Sequence, residues 1–119
     1  MKKILICDDD EGIVEILTTI LKEDRWEIKS ITSGKKILKI IKDFMPDLVL
    51  LDIWMPGIGG VEITRLVKKD ARVKHIPIII LSALQDTEEI AKEAGADGFI
   101  LKPFEMEELL SKLNKQLLS

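Results

Sequence analysis

The chain has 119 residues, 46% hydrophobic and 33% charged, enough for one domain with a single buried core and too apolar for a disordered polypeptide. A net charge of −3 gives no electrostatic reason to bind nucleic acid, one cysteine rules out an internal disulfide, and no apolar run approaches the length of a membrane span. Cys7 lies inside an apolar run and reads as a small core residue; with no leader pattern after Met1-Lys2-Lys3, a cytoplasmic location is expected.

Strand-like and helix-like periods alternate along the chain. Ile4–Cys7 is a continuous apolar run that stops at Asp8-Asp9-Asp10. Glu11–Asp24 then has Ile13, Val14, Leu17, Ile20 and Leu21 at helical spacing, with Asp9 or Asp10 as its cap. Trp26–Ile31 alternates like a half-covered edge strand, and Ser33 is placed to cap a helix running to about Phe44, before Pro46. Leu48–Leu51 is a second apolar run, ending at Asp52, and Met55–Gly60 is a loop by its Pro and Gly content. A helix over Gly60–Ala71 is expected to carry Val61, Ile63, Leu66 and Val67 inward. Ile78–Leu81 is a third apolar run, ending at Ser82-Ala83. Asp86-Thr87-Glu88-Glu89 resembles a capping box opening a helix that ends at Gly95. Asp97–Leu101 is the last strand, followed by Lys102-Pro103, and Glu105–Leu118 is the last helix. Repeated βα units imply a parallel sheet between helices with right-handed crossovers, a single domain over residues 1–119.

Continuous apolar runs are strands buried on both faces, and open α/β sheets bind ligands beyond the strands' carboxyl ends. Asp8-Asp9, Asp52, Ser82 and Lys102 each follow such a run, so carboxylates, a hydroxyl and an amine converge on one sheet edge. Carboxylates held that close repel one another, and a hard divalent cation such as magnesium relieves the repulsion. Asp52 stands alone at its strand end, free to attack phosphorus; Ser82 and Lys102 are the types needed to hydrogen-bond and neutralise phosphoryl oxygens. The constellation points to phosphoryl transfer onto a carboxylate.

The motifs ILICDDD (4–10), LLDIWMPGIGG (50–60), LSAL (81–84) and AGADGFILKPF (94–104) resemble the receiver domain of two-component response regulators over essentially the whole chain. The resemblance implies a flavodoxin-like, doubly wound, five-stranded parallel sheet of order 2-1-3-4-5 with helices on both faces. It casts Asp52 as phosphoacceptor, and Asp8, Asp9 and the Trp54 backbone carbonyl as the remaining ligands of Mg2+ (or Mn2+), with Asp9 favoured as a direct ligand. Ser82 is cast as the hydroxyl that bonds the phosphoryl group, Lys102 as its ion-pair partner before a cis Pro103, and Phe99 as an aromatic switch that responds with Ser82 by packing alone. The implied function is to take a phosphoryl group from phosphohistidine in a two-component or phosphorelay system and change surface conformation. The stretch from Ser82 to Lys102 is about two residues shorter than is usual there, which argues against the family's dimer through the fourth helix and fifth strand.

The first helix has apolar residues over an arc of roughly 160°. Val14, Leu17 and Leu21 suffice for the core, leaving Ile13 and Ile16 as an exposed edge beside the acids. By the resemblance, that edge receives the histidine-bearing helix of a histidine kinase or histidine phosphotransfer protein; the downstream effector is left open. Lys68–His75 is basic but reads as a solvated helix end favoured by the helix dipole, and His75 as neither phosphohistidine nor ligand. Bulky Trp54 and Leu84 flank the acceptor and are expected to hinder hydrolysing water. The alternative is a pseudo-receiver serving as a constitutive interaction module. A phosphoaspartate hydrolase would need an acid where Trp54 stands, and a flavin carrier's phosphate would be repelled by Asp8–Asp10.

Overall fold

The structure, a computed structural model, describes residues 1–55 and 57–117. Five strands alternate with five helices: β1 (Lys3–Cys7), α1 (Glu11–Glu23), β2 (Glu27–Ile31), α2 (Ile37–Phe44), β3 (Leu48–Asp52), α3 (Gly60–Lys69), β4 (Ile78–Ser82), α4 (Thr87–Ala94), β5 (Gly98–Leu101) and α5 (Met106–Leu117). All pairings are parallel and the order is β2-β1-β3-β4-β5, as expected. Because side chains alternate across a strand, each apolar run feeds two cores. Ile4, Ile6, Leu48, Leu50 and Ile79 pack under Leu17 and Leu21 of α1 and Leu109 and Leu113 of α5. Leu5, Cys7, Val49, Leu51 and Ile80 face Ile37 and Ile41 of α2, Ile63 and Val67 of α3, and Ala91 of α4. Burial, and secondarily the Asp8 charge, pushes the Cys7 thiol far above its ordinary pKa, so it is an unreactive core group.

Register explains why the strand ends meet. Cys7 pairs with Leu51, so the next residues, Asp8 and Asp52, are level. Asp52 pairs with Leu81, which puts Ser82 one step beyond, and Ser82 pairs with Leu101, which puts Lys102 one step beyond that.

Several local expectations give way to tertiary packing. The α2 helix starts at Ile37, not at Ser33: the Ser33 hydroxyl accepts the Lys35 amide at 3.2 Å, and Lys36, at φ 63°, turns the chain left-handed before the helix. In α3, Leu66 is 44% exposed and Val61 half-buried, while Thr64 takes the inward position and bonds the Gly60 carbonyl at 2.8 Å. That helix ends at Lys69, where Asp70 leaves helical geometry and pairs with Lys42 at 2.8 Å. Asp86 makes no side-chain cap; the Thr87 hydroxyl instead donates to the Leu84 carbonyl at 2.6 Å. The α4 helix has eight residues, little over two turns. The edge strand β2 begins at Glu27, since Trp26 is buried and its indole N–H donates to Asp24 at 3.0 Å. The last strand starts at Gly98, one residue late, because Asp97 is spent on a tie at its entry. The last helix starts at Met106; its expected end, Leu118, and Pro56 of the expected loop lie outside the described residues.

Away from the acids, the basic run is less solvated than expected. The Lys68 amine donates to the carbonyls of Lys74 (3.3 Å) and Ile76 (2.9 Å) and pairs with the Asp97 carboxylate at 2.7 Å. The same Asp97 oxygen accepts the Ile78 amide at 2.8 Å. His75 is exposed in the connection entering β4, at the opposite end of the sheet from the acids. No helix among the described residues is long and apolar enough to cross a membrane.

Candidate functional site

The carboxyl ends of β1, β3 and β5 bring Asp8, Asp52 and Lys102 together. Asp8 is fully buried; one carboxylate oxygen accepts the Asp10 amide at 2.9 Å and the other the Lys102 amine at 2.9 Å. Lys102 also stands 3.6 Å from Asp52, bridging the two acids. Asp9 is exposed at the mouth, and Asp10 is drawn off to cap α1 through the amides of Gly12 and Ile13. One carboxylate oxygen from each of Asp8, Asp9 and Asp52 lies within 4.8 Å of the others.

Asp52 is 7% exposed. Burial first, and the Asp8 charge second, push its carboxyl up to about 6, against the lowering pull of Lys102 and of the Trp54 backbone amide that bonds to it. One amine thus faces two buried carboxylates, Asp8 and Asp52, with a third, Asp9, at the mouth. An all-oxygen donor set with surplus negative charge suits a hard divalent cation such as magnesium, so these residues fit that ion.

Ser82 is buried at the end of β4, where its hydroxyl accepts the Leu84 amide at 3.0 Å and keeps its own proton to donate. The Lys102–Pro103 peptide is cis. Trp54 projects outward, 68% exposed, two residues beyond Asp52, and Leu84 packs half-buried beside the α2–α4 core. Phe99 pairs with Ile80, away from the acids; it is half-buried, with the Lys112 amine 4.8 Å above its ring and 2.8 Å from its carbonyl oxygen. Ile13 is half-buried and Ile16 is 56% exposed; with Ala83, Lys102, Pro103 and Phe104 they line an open groove of about 360 Å³ whose floor reaches the site's lysine.

A family model described as the response regulator receiver domain matches residues 4–114. The chain belongs to this family. Among curated relatives of the receiver domain, the DNA-binding response regulator MtrA of Mycobacterium tuberculosis (strain H37Rv) is 36% identical over 98% of this chain and 50% of its own length. The phosphate regulon transcriptional regulatory protein PhoB of Pseudomonas aeruginosa is 37% identical over 98% of this chain and 52% of its own. The receiver thus spans about half the length of these relatives. Among solved structures, a response regulator of Chloroflexus aurantiacus has a TM-score of 0.93 at 32% identity, covering 99% of this chain and 98% of that one. The chemotaxis protein CheY4 of Vibrio cholerae has a TM-score of 0.88 at 28% identity, covering 98% and 99%. Receiver domains are the phosphoacceptors of two-component signalling and typically bind magnesium at an acidic pocket; this receiver has such a cluster of aspartates.

Two features of the receiver's site escaped sequence reasoning. A Cβ added to Gly60 would lie 2.6 Å from the Asp52 carbonyl oxygen and 2.9 Å from the Ile53 Cα, so only glycine lets α3 start against the end of β3. The Gly60 amide closes the intervening loop on the Ile53 carbonyl at 2.9 Å. Gly34 is the second, and its neighbour is the same loop. A glycine pair was visible in the string; which glycine met a backbone was not.

Proposed function

We propose that this chain, acting over residues 1–119 as one receiver domain, takes a phosphoryl group from a phosphohistidine onto Asp52. The Asp52 oxygen attacks phosphorus, the P–N bond breaks as the P–O bond forms, and the imidazole leaves with the electron pair and takes up a proton. The observation that carries the reading is the meeting of Asp8, Asp9 and Asp52 within 4.8 Å, with Lys102 bridging Asp8 and Asp52. At neutral pH the Asp52 carboxyl, pushed up to about 6, is ionised yet poorly solvated, a good state for a nucleophile.

Asp8, Asp9, Asp52 and the Trp54 backbone carbonyl would hold the magnesium or manganese ion. That ion supplies charge neutralisation for the transferred oxygens. Lys102 is within reach of Asp52 and ion-pairs a second oxygen of the phosphoryl group once Asp52 carries it. Ser82 donates its free hydroxyl proton to a third, and its draw toward the acceptor, with repacking of Phe99, changes the surface near α4 and β5. The groove at Ile13 and Ile16 receives the helix bearing the phosphohistidine, from a histidine kinase or phosphotransfer protein. The setting is the cytoplasm, where such donors present their histidines, and the output passes to an effector through protein contact, not through nucleic-acid binding by this domain.

The test is intact-protein mass after incubation with a small-molecule phosphodonor, with and without magnesium, on wild type and Asp52→Asn. One magnesium-dependent phosphoryl adduct, absent in the variant, is expected. No adduct with magnesium or manganese refutes the reading and leaves a constitutive interaction module.

A further inference from the structure

The loop from Asp52 to Gly60 is held from inside by its own buried side chains, Ile53 and Met55, and by the Gly60–Ile53 bond. It is also held from outside. Gly34, buried in the β2–α2 connection, has no room for a Cβ: that atom would run into the Ile58 carbonyl oxygen and lie 3.1 Å and 3.2 Å from the Ile58 nitrogen and carbonyl carbon. All three are main-chain atoms, so no side chain can swing aside. One residue earlier, the Cβ position of Gly57 faces Lys35 Cγ at 3.1 Å, the Lys35 amide nitrogen at 3.2 Å and Ser33 Oγ at 3.4 Å. The two connections therefore meet main chain to main chain over two successive residues. The late start of α2 belongs to this contact, since Ser33–Lys36 follow the neighbouring loop instead of a helical path.

We propose that Gly34 is a positioning residue for the acceptor site, the β2–α2 connection acting as a wall that keeps the Ile53–Gly60 loop seated on Asp52. The inference rests on the acceptor reading above. A methyl group at residue 34 must push Ile58 outward, and the displacement is passed to Trp54 and the oxygen ligands at the loop's start.

Three readouts on Gly34→Ala and wild type decide it: magnesium affinity from tryptophan fluorescence, amide exchange by NMR, and labelling by a small phosphodonor. The variant is expected to bind magnesium about tenfold or more weakly, to exchange the Gly60 amide faster, and to leave the Trp26 and Asp97 amides unchanged. A folded variant with wild-type magnesium affinity and wild-type Gly60 exchange overturns the inference. If Gly34→Ala does not fold, Lys35→Ala is compared with Lys35→Met, which keeps the Cγ seated on Gly57. Weaker magnesium binding in the alanine variant alone supports the wall, and equal binding overturns it. Wild type that takes no phosphoryl group, with magnesium still weakened by Gly34→Ala, sinks the acceptor reading but not the wall. Equal labelling and equal magnesium binding in wild type and variant sink the wall alone.

Discussion

Replacing Asp52 with asparagine is expected to stabilise the metal-free protein at neutral pH but not in acid. The Asp52 carboxyl has a pKa of 3.8 when unperturbed and about 6 in the fold, burial being the first cause and Asp8 the second. A carboxyl that holds its proton more tightly when folded lends stability that is complete below about pH 4 and is lost as the pH rises through 6. The rise corresponds to about 3 kcal/mol, which solvent at the mouth of the site lowers to about 2 kcal/mol. Asparagine is neutral throughout and loses nothing over that window. In urea unfolding with a chelator present, the variant's advantage over wild type should therefore be about 2 kcal/mol larger at about pH 7.5 than at about pH 4. Magnesium should reverse the ranking, adding about 2.7 kcal/mol to wild type at a hundred times its dissociation constant and much less to the variant. An advantage equal at both pH values would show that ionised Asp52 is not under electrostatic load, and the argument for a cation at this site would fall with it.

Lys102→Met removes the amine bridging buried Asp8 to Asp52; a loss of about 3 kcal/mol is expected near neutral pH, shrinking in acid, and is read by the same unfolding series. Gly60→Ala drives a methyl group to 2.6 Å from the Asp52 carbonyl oxygen and should cost about 2–3 kcal/mol, whereas Gly98→Ala, whose Cβ would meet only ordinary contacts at 3.6 Å and beyond, should cost under about 1 kcal/mol; thermal melts compare them. Trp54→Asn replaces the exposed indole beside Asp52, the proposed acceptor, and is expected to shorten the phosphoform's lifetime severalfold, followed by loss of the phosphoryl adduct over time; an unchanged lifetime removes Trp54 as a shield against water.

The site was legible because each of its residues terminates a run whose type and length are dictated by burial. Ile4–Cys7, Leu48–Leu51 and Ile78–Leu81 can only be central strands, and parallel register then aligns whatever follows them. The helix termini were less legible. Ser33 and Asp86 are good caps by local chemistry, but Ser33 lies in the contact with the Gly57–Ile58 segment, and the Thr87 hydroxyl settles the start of α4. Leu66 fits a helical apolar stripe, yet it lies exposed while Thr64, on the opposite side of the helix, takes the inward position with its hydroxyl satisfied inside its own helix. Such choices depend on which neighbouring surface arrives, and spacing along one segment carries no record of it. The close approaches at Gly34 and Gly60 are of the same kind.

The Lys68 tie has a mechanical consequence. At the end of the sheet remote from the acids, one amine joins the α3 terminus, the segment entering β4 and the carboxylate entering β5, and that carboxylate also grips the Ile78 amide. β4 and β5 are thus bolted together at one end, and at the other they carry Ser82 and Lys102 up to the acids of β1 and β3. A change of charge on the acidic side therefore acts on strands whose far ends are tied, so the two residues nearest the acids, Ser82 and Lys102, have more freedom to respond than the strand entries do.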